Sequence, residues 1–416
     1  YQVNSTNEHR IGGMSGSYAD FYLTDVYLID GLALTPTSFG SYDSNGVWQR
    51  GTYSGTFGTN GFHVLDFENE ATIGDDSSGN SNDFTANNLS DTAGAGNDVL
   101  LDFPANGSES DTGAGGEVSG NYATLNTLQS GFDPKNGNLS FAVGSRSNWK
   151  VAHGTIHISS GKYYWEITNG TQNSAGANIA YGIRPTSVTD GNTQELGYDD
   201  GGGKAYFSNG GTRNGNTSGT ASYGASFGTG DVIGVAFDAD NGTLVFYKNG
   251  ASQGTAFTGL TGTWAPAVGL YTGGTEVGTD DFHINFGQRA FAHSAPSGFK
   301  ALCTTNLPTP AIADGRDYFE AKTYTGNGSS QSITTSFSPD FVWIKQKNIA
   351  RYHSLYDIVR GTNKLLQSQA NSAEVDAGSS GVTAFGSTSF TVGSDNGINQ
   401  NGGEYVGWAW DAGSST

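Results

Sequence analysis

The chain has 416 residues, of which 35% are hydrophobic and 14% are charged, and it contains 64 glycines, 20 tyrosines and 23 phenylalanines. This length is too great for one ordinary sandwich, and the composition favours short strands and tight turns over long helices, so we predict an all-β protein of two or three domains. The formal net charge of −20 argues against nucleic acid and membrane surfaces as partners, because both are bound through clustered Lys and Arg.

Residues 1–60 contain a Gly-Gly turn at 12–13, an apolar–polar alternation over 21–31 and a Leu-Thr-Pro sequence at 34–36. Alternation with a period of two predicts strands. We expect these to be the closing strands of a sandwich whose opening part precedes the first residue. Trp48 lies in a less regular context and is predicted to face another surface.

Residues 61–308 are predicted to form a second sandwich, with its strand core at 119–308. Alternating runs begin at Lys162 and again at Asp231, and each ends in a Gly, Asn or Asp turn. The sequence Asp-Asn-Gly at 240–242 predicts a hairpin.

A cluster of side chains rich in oxygen atoms opens this second region around Gly79, and its members are Asp75, Asp76, Asn80 and Asp83. Such side chains bond their own backbone in turns, so a structural turn is the first interpretation. The same oxygens are the ligands that Ca²⁺ prefers, which leaves a calcium site as the alternative, although the spacing is not that of an EF-hand. No other cofactor is expected.

Residues 309–416 follow a Pro-Thr-Pro linker and are predicted to form a third β-rich module that continues beyond the chain end. Six tryptophans lie in segments with a strand-like pattern and are predicted to pack in cores, namely Trp149, Trp165, Trp264, Trp343, Trp408 and Trp410. His153 and His157 lie in an alternating segment, which would place them about 13 Å apart on one strand face, too far for one metal.

The order of these runs resembles known modules. The Gly-Lys-Tyr-Tyr-Trp-Glu strand at 161–166, the hairpin at 240–242 and Asn-Phe-Gly-Gln-Arg at 285–289 are similar to the SPRY domain, a concanavalin A-like sandwich used for binding. The segments at 12–36 and 76–82 resemble laminin-G-like domains. Together these sequence segments resemble those of tail-fibre-like virion proteins from tailed bacteriophages, especially marine ones.

The SPRY resemblance implies binding through loops at one edge of the sandwich, here 169–177, 186–206, 209–223 and 271–280. These loops contain Tyr198, Tyr206, Tyr223 and Tyr271, whose rings suit sugar or protein surfaces. With Trp48 they are the candidate ligand-binding residues.

The bacteriophage resemblance implies a fibre, spike or decoration protein on the virion surface that attaches to a host-surface glycan or protein. Its other expected partners are further virion proteins and further copies of itself, with neither nucleic acid binding nor membrane insertion. A purely architectural capsid decoration is the alternative. We expect no catalysis, although Asp66, Glu68 and Glu70 alternate as carboxylates do in some retaining glucanases, so a glycan-degrading enzyme is the remaining rival.

Overall fold

The computed structural model describes residues 9–14, 16–19, 21–43, 48–64, 73–90, 98–103, 106–128, 133–142, 149–170, 178–186, 195–198, 202–215, 221–271, 281–310, 312 and 314–412. The chain divides into two compact units. One comprises Tyr1–Ser41 and Trp48–Pro308, and the other comprises Tyr42–Val47 and Thr309–Thr416. Strands dominate both units, so the prediction of an all-β, multi-domain protein is confirmed.

Six short strands precede the main sandwich of the first unit: β1 Gly13–Met14, β2 Ser17–Tyr18, β3 Val26–Leu28, β4 Gly40–Tyr42, β5 Trp48–Arg50 and β6 Phe62–Val64. They form three two-stranded pairs, of which β1 with β2 and β3 with β6 are antiparallel, and the β3–β6 pair carries backbone hydrogen bonds across the predicted domain boundary at residue 60. None of the described residues in 9–60 is buried. This part of the chain therefore has no core of its own among the described residues.

Thirteen further strands build the sandwich: β7 Asp133–Lys135, β8 Ser140–Ala142, β9 Lys150–His153, β10 Lys162–Asn169, β11 Asn178–Pro185, β12 Lys204–Phe207, β13 Gly211–Asn214, β14 Ala221–Ser222, β15 Val232–Asp238, β16 Thr243–Lys248, β17 Ala251–Phe257, β18 Trp264–Tyr271 and β19 Asp281–Asn285. One sheet has the order β17-β16-β15-β10-β19-β8-β7, and the other has the order β14-β13-β12-β11-β18-β9. All pairs are antiparallel, as expected for a sandwich of hairpins and crossovers.

The alternation along each strand decides which side chains enter the core between the two sheets. On β10 the side chains of Tyr163, Trp165 and Ile167 are buried in that core, while those of Tyr164 and Glu166 lie on the opposite face. The hairpin between β15 and β16 lies where the sequence predicts it, with Asp238 paired to Thr243. Cys303 is also part of the core.

Glu166 is a buried carboxyl that fixes a covering segment onto the outer face of the seven-stranded sheet. Its two oxygens accept hydrogen bonds from the Ala292 N–H at 2.7 Å, the His293 N–H at 2.9 Å and the Tyr164 hydroxyl at 3.1 Å. Burial raises the pKa of Glu166 to about 7, although these hydrogen bonds act in the opposite direction. Phe291 packs on Tyr164 beside the carboxyl.

The second unit is also built from two sheets. Its strands are β20 Phe319–Thr325, β21 Gln331–Thr334, β22 Phe341–Gln346, β23 Ser354–Asp357, β24 Gly361–Leu366, β25 Val375–Asp376, β26 Val382–Gly386, β27 Ser389–Val392 and β28 Glu404–Trp410. The sheet orders are β20-β28-β22-β23-β24-β25 and β21-β27-β26. A separate apolar core, which includes Tyr356, Phe390 and Tyr405, fills this unit.

Helical structure is confined to single turns in the described part of the chain. The α-helix α1 spans Asn396–Asn399, and 3₁₀ turns lie at Pro36–Ser38, Thr304–Asn306, Gly315–Asp317 and Gly378–Ser380. No helix among these residues is long and apolar enough to cross a membrane.

The pKa of Glu166 predicts a pH dependence of stability. Because this pKa is raised on folding from 4.5 to about 7, the unfolded chain loses its proton first, and the folded state is penalised as the pH rises between these values. We expect the free energy of unfolding of the wild type, relative to Glu166→Gln, to fall by on the order of 3 kcal/mol over this range.

Urea denaturation across this pH range measures the difference. The exposed Glu404 gives the matched control, since Glu404→Gln removes a carboxyl without touching a buried site. A difference between wild type and Glu166→Gln that stays constant with pH would contradict the assignment.

Candidate binding site

The loops that the SPRY resemblance predicts to bind lie largely outside the described residues, which omit 171–177, 187–194, 199–201, 216–220 and 272–280. The side chain of Tyr271 and the carboxylates of Asp66, Glu68 and Glu70 are also outside them. The predictions for these residues therefore stay predictions.

Tyr206 is fully buried within the sandwich core, between Phe227 and Phe246. The prediction that its ring contacts a ligand is therefore wrong, because β12 turns this side chain inward. Its hydroxyl donates to the Ala225 carbonyl.

The other candidate aromatic residues are partly exposed. The Tyr223 ring packs on Tyr206 with centroids 5.3 Å apart, which leaves one side toward the surface. The Arg213 guanidinium lies 5.6 Å from the ring centroid of Tyr198. Trp48 is partly exposed on β5. Ligand contact by these three residues stays a prediction.

A site that the sequence did not indicate lies at one end of the sandwich, around Trp264. This residue begins β18 and pairs with Pro185 at the end of β11. Its backbone exchanges two hydrogen bonds with Ile158, of 2.7 and 2.8 Å, and its indole N–H donates to the Thr261 carbonyl at 3.1 Å. Trp264 is only 6% exposed, so it forms a fixed floor rather than a mobile contact.

A cavity of about 470 Å³ opens over this floor. Its lining comes from the ends of both sheets and consists of Lys204, Asn214, Ala256, Phe257, Thr258, Gly259, Leu260, Thr261 and Trp264. The Lys204 ammonium lies 5.4 Å from the centroid of the Trp264 ring and donates a 2.6 Å hydrogen bond to the Gly202 carbonyl. The lysine is thus held at the mouth of the cavity by the aromatic ring and one carbonyl.

A second, smaller cavity of about 40 Å³ adjoins the same strand pair. It is lined by His153, His157, Arg184, Pro185, Thr186 and Ala265. The imidazole rings of His153 and His157 have centroids 6.0 Å apart, so the predicted separation of about 13 Å is wrong. Strand β9 ends at His153, and the chain then folds back toward Trp264, which brings His157 close.

Among the described residues, the ionisable side chains lining the two cavities are basic, in a chain whose net charge is −20. Arg184 is 3% exposed, whereas His157 is exposed at the rim. Burial, and then the neighbouring His153, lower the pKa of His157 below its ordinary value. Lys204, Arg184, Trp264 and the two histidines are called the Trp264 site below.

The cluster around Gly79 forms a hydrogen-bonded turn. Both carboxylate oxygens of Asp76 accept bonds, from the N–H groups of His63, Ser78 and Asn82 at 2.8, 2.9 and 3.0 Å and from the Ser78 hydroxyl at 2.8 Å. Burial alone would raise the pKa of Asp76, but these donors hold it below its ordinary value. The donors occupy the positions that a cation would need.

The remaining members of the cluster also serve the turn. Asp83 accepts from the Asp76 N–H at 2.9 Å, and the Asn80 amide donates to the carbonyls of Gly58 and Gly61 at 2.6 and 2.8 Å. Asp75 is exposed. Within the described ranges no three His, Cys, Asp or Glu side chains are grouped as metal ligands. Calcium binding here stays a prediction.

Replacement of Asp76 separates the structural turn from the calcium site. We expect Asp76→Ala to lower the free energy of unfolding by about 1–2 kcal/mol, because several backbone N–H groups lose their acceptor. Thermal unfolding with Ca²⁺ and with a chelator measures it, and Asp75→Ala serves as the control with little effect. Stabilisation of the wild type by Ca²⁺, lost in Asp75→Ala, would instead establish a calcium site.

Two family models match separate parts of the chain. Residues 162–289 match the SPRY domain, and residues 314–416 match a domain of unknown function, DUF7483. The SPRY match covers β10–β19 and includes Arg184, Lys204 and Trp264. His153 and His157 precede it.

A part of the chain is also similar to curated proteins of animals. The Ran-binding proteins 9/10 homolog of Drosophila melanogaster is 36% identical over 140 residues, which are 33% of this chain and 13% of that protein. Human Ran-binding protein 9 is 34% identical over 141 residues, which are 33% of this chain and 17% of that protein. The chain thus spans less than a fifth of the length of these relatives.

Among solved structures, the SPRY domain of human HERC1 matches with 24% identity and a TM-score of 0.30, covering 37% of this chain and 96% of that structure. The predicted virion surface protein, with virion components and a host surface as partners and the virion surface as its location, is wrong, because the relatives are Ran-binding proteins of animals. The predictions of a tail fibre and a capsid decoration fall with it. The chain contains a SPRY domain of the β-sandwich type.

Proposed function

We propose that this chain is a recognition protein whose SPRY domain binds an exposed acidic segment of a partner protein at the Trp264 site. The observation that carries the proposal is that two cavities bordering the β11–β18 strand pair have basic ionisable side chains among their described lining residues. In a strongly acidic chain, such a patch attracts carboxylates while the surrounding charge repels other acidic surfaces.

The shape of the site supports a peptide segment. A cavity of about 470 Å³ is within the range that holds a few side chains, and the rigid Trp264 floor costs little entropy on binding. Lys204 at the mouth would pair with a carboxylate, and the neighbouring polar groups 258–261 would meet the peptide backbone.

The relatives support a binding role in general terms. They are named for binding Ran, and part of this chain matches the SPRY domain. Because the matched region is a small share of each relative, we propose the mode of recognition and not the partner's name. Under this proposal the chain acts without catalysis or a cofactor.

Selection on an array of random short peptides tests the proposal with the full chain. We expect the retained peptides to be enriched in Asp and Glu, and their binding to weaken with rising salt because the attraction is electrostatic. Lys204→Glu should weaken it by about tenfold or more, since an opposite charge pair becomes a like pair.

The matched control is Lys135→Glu, which makes the same charge change on the exposed Lys135 of β7 at the far edge of the seven-stranded sheet. It should leave binding unchanged. An array without acidic enrichment, or equal loss in both variants, would overturn the proposal.

A further inference from the structure

The outward face of the six-stranded sheet in the second unit carries a continuous group of aromatic side chains. Strands β20, β28 and β22 lie side by side there. Five partly or fully exposed rings project from this face, namely Phe319, Phe341, Trp343, Trp408 and Trp410, and they are called the aromatic face below. The prediction that Trp343, Trp408 and Trp410 are core residues is therefore wrong.

The strand register arranges these rings in two neighbouring rows. In the first row Trp410 pairs with Phe319 on one side and Phe341 on the other, with ring centroids 5.0 and 5.1 Å apart. In the second row Trp408 pairs with Trp343, with centroids 5.9 Å apart. The rows thus cross three adjacent strands.

This arrangement reverses the usual distribution of large and small residues on β28. After the buried Tyr405, the next two inward positions carry Gly407 and Ala409, while the outward positions beside them carry the two tryptophans. A Cβ at Gly407 would lie 3.0 Å from the Phe390 ring, so the core requires a small residue there. Large rings on the outer side do not serve this core, and an exposed apolar group of this kind is typical of an interaction surface.

The charge of the face restricts its partner. None of the five rings has a charged side chain between it and its row neighbours, and Asp357 at the end of the first row is bound to Arg360 at 2.6 Å. The next outward residue of β22 is Lys345, so the charge on this face begins beyond the rings. A group of rings with no charge among them, in a chain of −20, complements an uncharged partner. Nucleic acids, anionic lipids and strongly charged peptides do not fit it.

The ring geometry favours a ridged partner over a flat one. The rings of Trp410 are inclined at 48° to Phe319 and 43° to Phe341, and Trp343 stands at 70° to Trp408. Inclined rings leave grooves between them, into which a ridged partner fits better than a flat one. Grooves between aromatic rings accept the ridges of a polyproline II helix.

Hydrogen-bond donors on the face match the same partner. The Trp343 indole N–H donates to His353 Nδ1 at 2.8 Å, but those of Trp408 and Trp410 bond to none of the described residues. A polyproline II segment has carbonyl groups without internal partners, which such donors can bind. We propose that the aromatic face binds an uncharged, proline-rich segment in the polyproline II conformation.

Titration of the full chain with deca-L-proline tests this inference independently of the Trp264 site. The chain has seven tryptophans, so ¹⁵N-labelling of their indole groups gives seven resonances that Trp→Phe variants assign. We expect the peptide to shift the resonances of Trp408 and Trp410 and to leave that of Trp165, buried in the first unit, unchanged. A Gly-Ser peptide of equal length should shift none of them.

Variants define the contacts. Trp408→Ala and Trp410→Ala should weaken binding about tenfold or more, and Trp410→Phe, which keeps a ring but removes the N–H, should have an intermediate effect. The control is Val375→Ser, an exposed apolar residue on β25 at the opposite edge of the same sheet. Circular dichroism confirms that each variant is folded.

The inference is overturned if saturating deca-L-proline shifts neither indole resonance, or if Val375→Ser weakens binding as much as the tryptophan variants. It is also overturned if the Gly-Ser peptide binds equally well. Shifts produced by cello-oligosaccharides, or by self-association, in place of the proline peptide would assign the face to another class of partner.

Discussion

The antiparallel pairing of β10 with β15 on one side and β19 on the other is the constraint on which the first unit depends. The register places Trp165 opposite Val235 with both side chains in the core, and a slip of one residue would exchange the inner and outer faces of the whole strand. Because the faces of this sheet are committed to packing, the chemistry left for recognition lies at the strand ends.

Two surfaces of different chemistry follow from this division. The Trp264 site lies at one end of the first sandwich, where β11 ends and its paired strand β18 begins, and it carries basic side chains. The aromatic face lies across the strands of the second unit, opposite the core positions of β28 that hold Gly407 and Ala409. A protein with one surface for carboxylates and another for uncharged segments has the features of a recognition protein with two contacts, whose combined affinity exceeds that of either.

Strong alternation and turn chemistry predicted much of the fold, as at β10 and at the hairpin that Asp238 begins. Alternation does not say which face is inward, and on β28 both sets of residues are largely apolar, so alternation alone predicts Trp408 in the core. The sequence around Tyr206 predicts a loop because its strand is short. The Trp264 site could not be predicted, since it joins residues that are distant in sequence, and His157 reaches it only because the chain leaves β9.

Hydrogen exchange of the full chain, with and without an acidic peptide retained by the array, tests the central claim most directly. The account predicts protection confined to the ends of β9, β11 and β18 and to the segment 256–261 that lines the larger cavity. Protection located on the seven-stranded sheet or in the second unit, with none around Trp264, would contradict it.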